Sequence, residues 1–585
     1  MLTKQINRLQ MSLTVAYAIA IVCFFALVYP HHLHFQEQYQ LFLFRWSYVS
    51  EVCSVPGGVA DLMGRFLTQF FMFAWAGAPL IMLVLMGIQQ CMARLMRGAE
   101  AGFTAVAFAL SFLPSSAMWV FLCDENALMS APVSLLIVLS VALAVRCIRP
   151  LTVRAVAGLI AVPLTYWLAG GMALILALLL IVDLLREERS LKTVAVSLVL
   201  AVVALSAPAA CHHLVTLPLD RLFAGPHYYR YPAIFPTWAW VAACLPALGV
   251  LVAAVLNRRP QKPQKCLANA SAWGLAAVLT GIAVGQSYDV RKEVILGYDF
   301  MARNSQWNRI INSANHKAPN DPVSVTALNL ALSVKGLMAD HMFDYTQHGL
   351  AGLLPEFVRD PFSPLVTSEA YYQLGMINTA QCYVFEAQEA IPDFQKSGRC
   401  YKRLAETNLI NGSYAVARKY LEALQSTLLY RSWANETLQL LGDEEAIGRH
   451  PEYGKLRQYI NTTDFFYSEH LQMLGQLFLS NRSNRLAYEY LLAACMLQND
   501  LDMFVNCYGL NTEIKYPAIP SVYQQALMLW WSRDHSADEA VPDGTDPNIV
   551  RGIRQFYKEY QSASANRELL KQHYGKTYWY YYFSL

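Results

Sequence analysis

Charge is scarce in this 585-residue chain. Asp, Glu, Lys and Arg together make 15% of it, against about 25% in soluble domains. Hydrophobic residues make 55%, and mean hydropathy is +0.28. A formal net charge of +3 is too small to draw in a polyanion, which excludes nucleic acid as a partner. The 12 cysteines contain no CxxC pair, so neither a zinc site nor a disulfide framework is indicated. Many of them sit inside apolar runs, where Cys acts as a small hydrophobe. No small-x-small cleavage site follows the first apolar run, which continues "ALVYPHHLHF". That run therefore reads as an uncleaved span rather than a signal peptide. The C-terminal "YGKTYWYYYFSL" lacks the first glycine of a phosphate loop, Leu570 standing in its place, and its aromatic run suits a core or a membrane interface.

What is present divides into two halves. Residues 1–290 are apolar runs broken by short loops, and residues 291–585 read as a polar helical domain. The runs long enough for a membrane-spanning helix, about 20 residues with shorter ones tolerated, are 12–29, 66–89, 101–122, 127–145, 155–169, 170–185, 193–210, 236–256 and 268–287. The loops between them alternate in charge. Lys4, Arg8, Arg94, Arg97, Arg146, Arg149, Arg154, Arg186, Arg189, Lys192, Arg258, Arg259, Lys262 and Lys265 fall on one side, and only Arg45, Arg65, Arg221 and Arg230 on the other. Basic loops stay cytoplasmic. The expected topology is thus about nine spans with a cytoplasmic N-terminus and a C-terminal domain outside. Pro163 and Gly170-Gly171 interrupt 155–185, which reads as two short spans or as a hairpin that does not fully cross, either leaving the parity unchanged; a single long span would reverse the side of everything after it, against the basic loops.

In the C-terminal half, "SEAYYQLGMINTAQCYVFEAQEAIP" sets Leu374, Gly375, Ile377, Ala380, Ala387 and Pro392 at the spacings of a tetratricopeptide repeat. A second copy follows with Gly412, Tyr414 and Ala417. Small residues at those places let antiparallel helices approach closely. Trp307 with Pro322, and "YLLAACMLQNDLDMFVNCY", read as degenerate copies. The expectation is an all-α chain: a polytopic membrane domain over 1–290, then an α-solenoid over 291–585 with a surface for an envelope protein or peptide.

Four loops fall outside the cytoplasm. The first, 30–65, holds His31, His32, His34, Glu37, Arg45, Glu51, Asp61 and Arg65, with "QYQLFLFRWSYVSEV" reading as an amphipathic helix and "PGG" before an apolar helix. Its histidines do not match a metal motif. The second is "CDEN", with Asp124 and Glu125; it suits a plain turn, or two carboxylates that bind a metal or work on a head group. The Gly170-Gly171 turn is the third. Loop 211–235 adds His212, His213, His227, Arg221 and Arg230. Arg45, Arg65, Arg221 and Arg230 are of a type that pairs with phosphate in bidentate geometry, or that anchors a chain at a membrane interface.

This plan resembles the GT-C glycosyltransferases: a cytoplasmic N-terminus, a long first outer loop with an early acidic residue, "PGG" before the second span, and a short acidic loop between spans three and four. Some members of that superfamily carry tetratricopeptide repeats after the membrane domain. The chain also resembles, over most of its length, a family of bacterial polytopic proteins with such a tail, which implies a multi-pass protein of the inner membrane. The GT-C resemblance implies Glu37 as catalytic base, where the family more often has Asp, and Asp124 with Glu125 near the donor or a divalent metal ion. It implies as donor a polyprenyl-phosphate-linked sugar held in the membrane. A non-enzymatic scaffold whose repeat domain binds an envelope protein is the alternative. A transporter would need charges within its spans, where Asp183 alone stands out.

Overall fold

A computed structural model describes residues 2–97, 105–188, 190–230, 237–257, 266–461, 469–535, 539, 541–542, 544–562 and 567–584. Arg189 and the basic loop holding Arg258, Arg259, Lys262 and Lys265 lie outside the described residues, as do the first residues of the run at 101–122 and the end of the 211–235 loop. Among the described residues the regular structure is helical, and β pairing is confined to single bridges. The chain forms two compact units. The first takes Met1–Glu293 together with the loops Pro392–Gly398 and Gln425–Arg431. The second takes Val294–Ile391, Arg399–Leu424 and Ser432–Leu585.

The first unit begins with α1 (Leu2–Cys23), prolonged by a π-helical turn at Phe24–Val28. The segment that follows carries three short helices, α2 (Pro30–Glu37), α3 (Trp46–Cys53) and α4 (Gly58–Thr68). Then come α5 (Ala74–Met96), α6 (Ala105–Leu110), α7 (Leu113–Phe121), α8 (Ser130–Arg146), α9 (Leu151–Ala169), α10 (Ala173–Glu187), α11 (Leu191–Cys211), α12 (Leu219–Ala224), α13 (Thr237–Asn257) and α14 (Cys266–Ser287). Among the described residues five stretches are long and apolar enough to cross a membrane: Arg8–Val28, Ala74–Met96, Leu151–Glu187, Leu191–Cys211 and Thr237–Val255. Val106–Phe121, Ser130–Arg146 and Trp273–Ser287 are shorter apolar helices. Residues such as Leu85, Ile88, Met92, Leu135, Leu139 and Leu176 bury their side chains in a shared core.

The 37-residue stretch Leu151–Glu187 is bent back on itself. Gly170 takes φ 69° and ψ −149°, a conformation closed to residues with a Cβ. Arg154 near the start of α9 consequently meets Asp183 at 3.4 Å and pairs with Glu187 at the end of α10. The two arms are antiparallel, about 28 and 22 Å long at 1.5 Å per residue.

In the second unit helices come in antiparallel pairs: Trp307–His316 with Pro322–Val334, Ser363–Leu374 with Ile377–Glu389, and His470–Ser480 with Arg485–Leu497. Gly375 ends the first helix of its pair in the left-handed region (φ 89°), and Ala380 is fully buried, its carbonyl accepting the Ser368 hydroxyl at 3.3 Å. A one-dimensional stack touches only its neighbours, and this unit does more. The Asn484 side chain donates to the Leu374 carbonyl at 2.9 Å, Ser333 donates to Glu489 at 2.9 Å, and Arg485 donates to the Gly336 carbonyl at 3.2 Å. Helix 485–497 is thereby enclosed by segments more than 100 residues earlier. The C-terminal aromatic run is core, with the Tyr578 and Tyr581 hydroxyls donating to the carbonyls of Met496 and Leu497.

Candidate outer-loop site

The site is built on α2, in the first unit. Its N-terminus is capped by the Glu293 carboxylate, which accepts the backbone N–H groups of His31 (2.8 Å) and His32 (3.0 Å). From there successive side chains reach the "CDEN" turn. Tyr29 donates to the Cys123 carbonyl at 3.3 Å, the His32 ring donates through Nε2 to the Leu122 carbonyl at 2.9 Å, and Gln36 donates to the carbonyls of Asp124 and Ala127. Burial lowers the His32 pKa to about 4, so its ring is neutral. Within the turn Asp124 accepts the Asn126 N–H at 2.8 Å, a local Asx closure. Glu125 is ion-paired with Lys292, and its backbone carbonyl accepts a guanidinium N–H of Arg230.

The two carboxylates differ in environment. Burial pushes Asp124 above the usual carboxylate range. Burial pushes Glu125 the same way, but the hydrogen bond and charge of Lys292 outweigh it and hold Glu125 low. Neighbouring carboxyls split in this way suit opposite roles in proton transfer.

The four arginines have different partners, although Arg65 and Arg221 both lie near His227. Arg45 is exposed and donates to the Ser426 hydroxyl at 2.6 Å. Arg65 pairs with the buried Asp61 at 2.6 Å and donates to the Tyr48 hydroxyl at 3.3 Å. Arg221 pairs with Asp393 at 3.0 Å. Arg230 is different. It is 3% exposed, its guanidinium lies over the Tyr39 ring at 5.1 Å, and burial lowers its pKa to about 10. Its Nε and Nη2 have no hydrogen-bond partner among the described residues. A buried donor pair left unmet costs about 1–3 kcal/mol per group, more for a charge.

Glu37 has its own partner outside the acidic pair. It follows Gln36 on α2, and consecutive helical side chains emerge about 100° apart, so Gln36 reaches "CDEN" while Glu37 reaches Tyr430, whose hydroxyl donates to it at 3.1 Å. Glu37 is 5% exposed and borders a cavity of about 10 Å³ shared with Gln40, Phe42, Gln69, Thr427 and Tyr430, room for about one water. The residues after α2 do not form one amphipathic helix as expected over 38–52. Leu41–Phe44 is not helical, its Leu41 and Phe44 N–H groups donating to the carbonyls of Lys396 (2.9 Å) and Ser426 (2.7 Å), and helix resumes only at α3. Backbone partners from the 392–398 and 425–431 loops replace the local ones a helix would supply.

Glycines let the outer loops interlock. A Cβ on Gly171 would stand 2.1 Å from the Phe223 carbonyl oxygen, and Gly57, at φ 83°, packs against Gly170, whose Cα a Cβ on Gly57 would meet at 3.3 Å. The "PGG" and Gly170-Gly171 signals are therefore a packing device joining the first loop, the α9–α10 turn and α12. Asp61, Arg65 and His227 fill the space below, His227 lying 3.6 Å from Asp61 and held below its usual pKa by burial. Among the described residues no group of three or more His, Cys, Asp and Glu side chains is arranged to hold a metal ion. Tyr430, Asp393, Lys292 and Glu293 were not legible as site residues, because nothing local in the sequence marks a partner hundreds of positions away.

The model of a family described as a family of unknown function, DUF6057, matches residues 4–584. No curated protein and no solved structure matches the chain.

Proposed function

The chain belongs to the DUF6057 family over nearly its whole length, and we propose that it is a membrane-embedded glycosyltransferase of GT-C type, working on a lipid-phosphate-linked sugar at the outer face. The reading takes all nine apolar segments as crossings, with the α9–α10 hairpin as two of them, the N-terminus cytoplasmic and the tetratricopeptide-like second unit outside. Exposed Trp46 and Trp75 suit the headgroup level.

The observation that carries the reading is Arg230. A guanidinium withdrawn from water, with Nε and Nη2 unmet, offers two parallel N–H groups, the geometry that takes a phosphate. The donor phosphate would sit there, beside the "CDEN" turn. In the transfer the bond from sugar C1 to the phosphate oxygen breaks, and the electron pair leaves with the phosphate, stabilised by Arg230. The acceptor oxygen bonds to C1, and its proton passes to a carboxylate. Glu37 is that base in this reading. Because Tyr430 covers it, the acceptor reaches it only when the 425–431 loop lifts. Asp124 and Glu125 would hold a divalent metal ion, which would supply positive charge to the leaving phosphate.

The enclosure of Glu37 in a one-water cavity favours the second reading, a membrane-anchored scaffold that binds an envelope protein or peptide through its helical unit. Binding of a polyprenyl monophosphate to the purified full-length protein separates the two. Arg230→Gln should weaken that binding tenfold or more while the protein melts as wild type. Equal affinity in both would remove the phosphate site.

A further inference from the structure

The second unit buries two cysteines against one another. Cys495 lies near the end of helix Arg485–Leu497, and Cys507 near the end of helix Leu501–Tyr508. They stand 12 positions apart, a spacing that marks no pair in the sequence. The turn between the helices is tightly held. Asn499 takes the left-handed region (φ 58°), the Asp500 N–H donates to the Cys495 carbonyl at 3.0 Å, and the Asp500 carboxylate accepts the Met503 N–H at 2.9 Å. At the other end of this hairpin the Tyr488 hydroxyl donates to the Tyr508 carbonyl at 3.1 Å. Tyr488 thus faces the shorter helix, and Cys495, seven residues on, is nearly two turns further along the same face. On the shorter helix Leu501, Phe504 and Cys507 form one buried stripe at intervals of three. The two thiols meet between these contacts, the Cys495 S–H donating to the Cys507 sulfur.

That contact sets their reactivity. The hydrogen bond holds the Cys507 thiol below its ordinary range, against the opposing pull of burial, and pushes Cys495 up, with burial adding to it. Cys507 is also the more accessible of the two, 7% exposed against 0%. It is therefore the thiol that ionises and attacks first. Both are free thiols in the structure. An S–S bond of about 2 Å is shorter than a thiol hydrogen bond, so the sulfurs need only close in along a contact already made.

We propose that Cys495 and Cys507 are an oxidisable pair, joined in the mature protein by a disulfide that clamps this hairpin. The proposal rests on the outward orientation of the second unit, since disulfides form and persist outside the cytoplasm. The oxidant is a protein or small-molecule disulfide. The Cys507 thiolate attacks one of its sulfurs, and the other leaves with the electron pair and takes up a proton. The Cys495 sulfur then attacks Cys507 Sγ in the mixed disulfide, and the second oxidant sulfur leaves with the proton of Cys495. Two protein thiols are oxidised, and one disulfide is reduced to two thiols. The bond closes as the unit folds, before burial shuts the pair away. The clamp fastens the seat of the C-terminal aromatic run, whose Tyr578 and Tyr581 hydroxyls bond the carbonyls of Met496 and Leu497 beside Cys495.

The test reads the state of both sulfurs in the full-length protein taken from membranes. Acid-quenched membranes are alkylated in denaturant with N-ethylmaleimide, then reduced and alkylated with its deuterated form. Trypsin releases both cysteines in one peptide, 486–515. In the wild type that peptide should carry the deuterated label on both sulfurs, and before reduction it should be unlabelled and lighter by two hydrogens. Cys495→Ala should leave Cys507 with the first label, and Cys507→Ala should leave Cys495 with it; variants on two helices guard against misfolding of either. Reductant should lower the wild type's melting temperature by several degrees and leave those of both variants unchanged. The first label on both wild-type sulfurs overturns the disulfide, and a wild-type melting temperature indifferent to reductant overturns the clamp. A reporter fused after Leu585 separates the two premises. A reduced pair with an active reporter overturns the disulfide alone, whereas a reduced pair with a silent reporter overturns the outward orientation as well.

Discussion

Glu293 accepts two N–H groups at the start of α2, and burial raises its pKa from an ordinary 4.5 to about 7. The folded protein thus holds a proton that the unfolded chain releases, and this group's contribution to stability falls as pH rises from about 4.5 to about 7. Glu293→Gln removes the titration, so the melting temperature of the variant should vary less with pH across that window than the wild type's. Equal slopes would mean that Glu293 is not the titrating group. At this scale the sequence was half legible. Asp124, Glu125 and Arg230 stand out as polar residues bounding apolar runs, and the structure brings them to one turn. Glu37 is equally conspicuous, yet it points elsewhere, since helical phase separates it from Gln36. Its partner Tyr430 lies 393 residues away, a separation no local pattern encodes.

Among the elements, apolar runs and turn glycines were legible because burial and backbone conformation act locally. Several helices of the first unit follow the runs, but the run at 66–89 is broken between α4 and α5 and the described part of 101–122 splits into α6 and α7, while Gly170 turns the 151–187 stretch back. Leu41–Phe44 was not legible, since its amphipathic pattern suits a helix and only loops from far down the chain, at Lys396 and Ser426, give its N–H groups other partners. The interlock of the outer loops has a direct test. Gly171→Ala places a methyl 2.1 Å from the Phe223 carbonyl oxygen, and overpacking of this kind costs about 1–3 kcal/mol. Gly274→Ala on α14 meets nothing within 4 Å and gains helix propensity of up to about 1 kcal/mol. The first should lower thermal stability and the second should hold or raise it. Similar melting temperatures for the two variants would count against the close approach of α12 to the α9–α10 turn.

For the whole molecule, the charge of the loops sets the orientation, and the outer-face reading depends on it. A reporter active only outside the cytoplasm, fused after Leu585, should be active, and one inserted in the 258–265 loop should not. A cytoplasmic C-terminus would put the "CDEN" turn and Arg230 on the wrong side for an outer-face donor. The helical second unit was legible as paired helices but not as a closed body, because the contacts of 485–497 with 322–374 join segments that no repeat period relates. The central claim is transfer from a lipid phosphate. Its most direct test reconstitutes the full-length protein in liposomes with polyprenyl-phosphate-linked hexose, pentose and amino sugar, adds periplasmic extract as acceptor, and follows free polyprenyl phosphate by mass spectrometry. The wild type should release it from at least one donor, and the Asp124→Asn, Glu125→Gln double variant, folded and inserted, should release none above background. No release from any donor, or equal release by the double variant, would contradict the account.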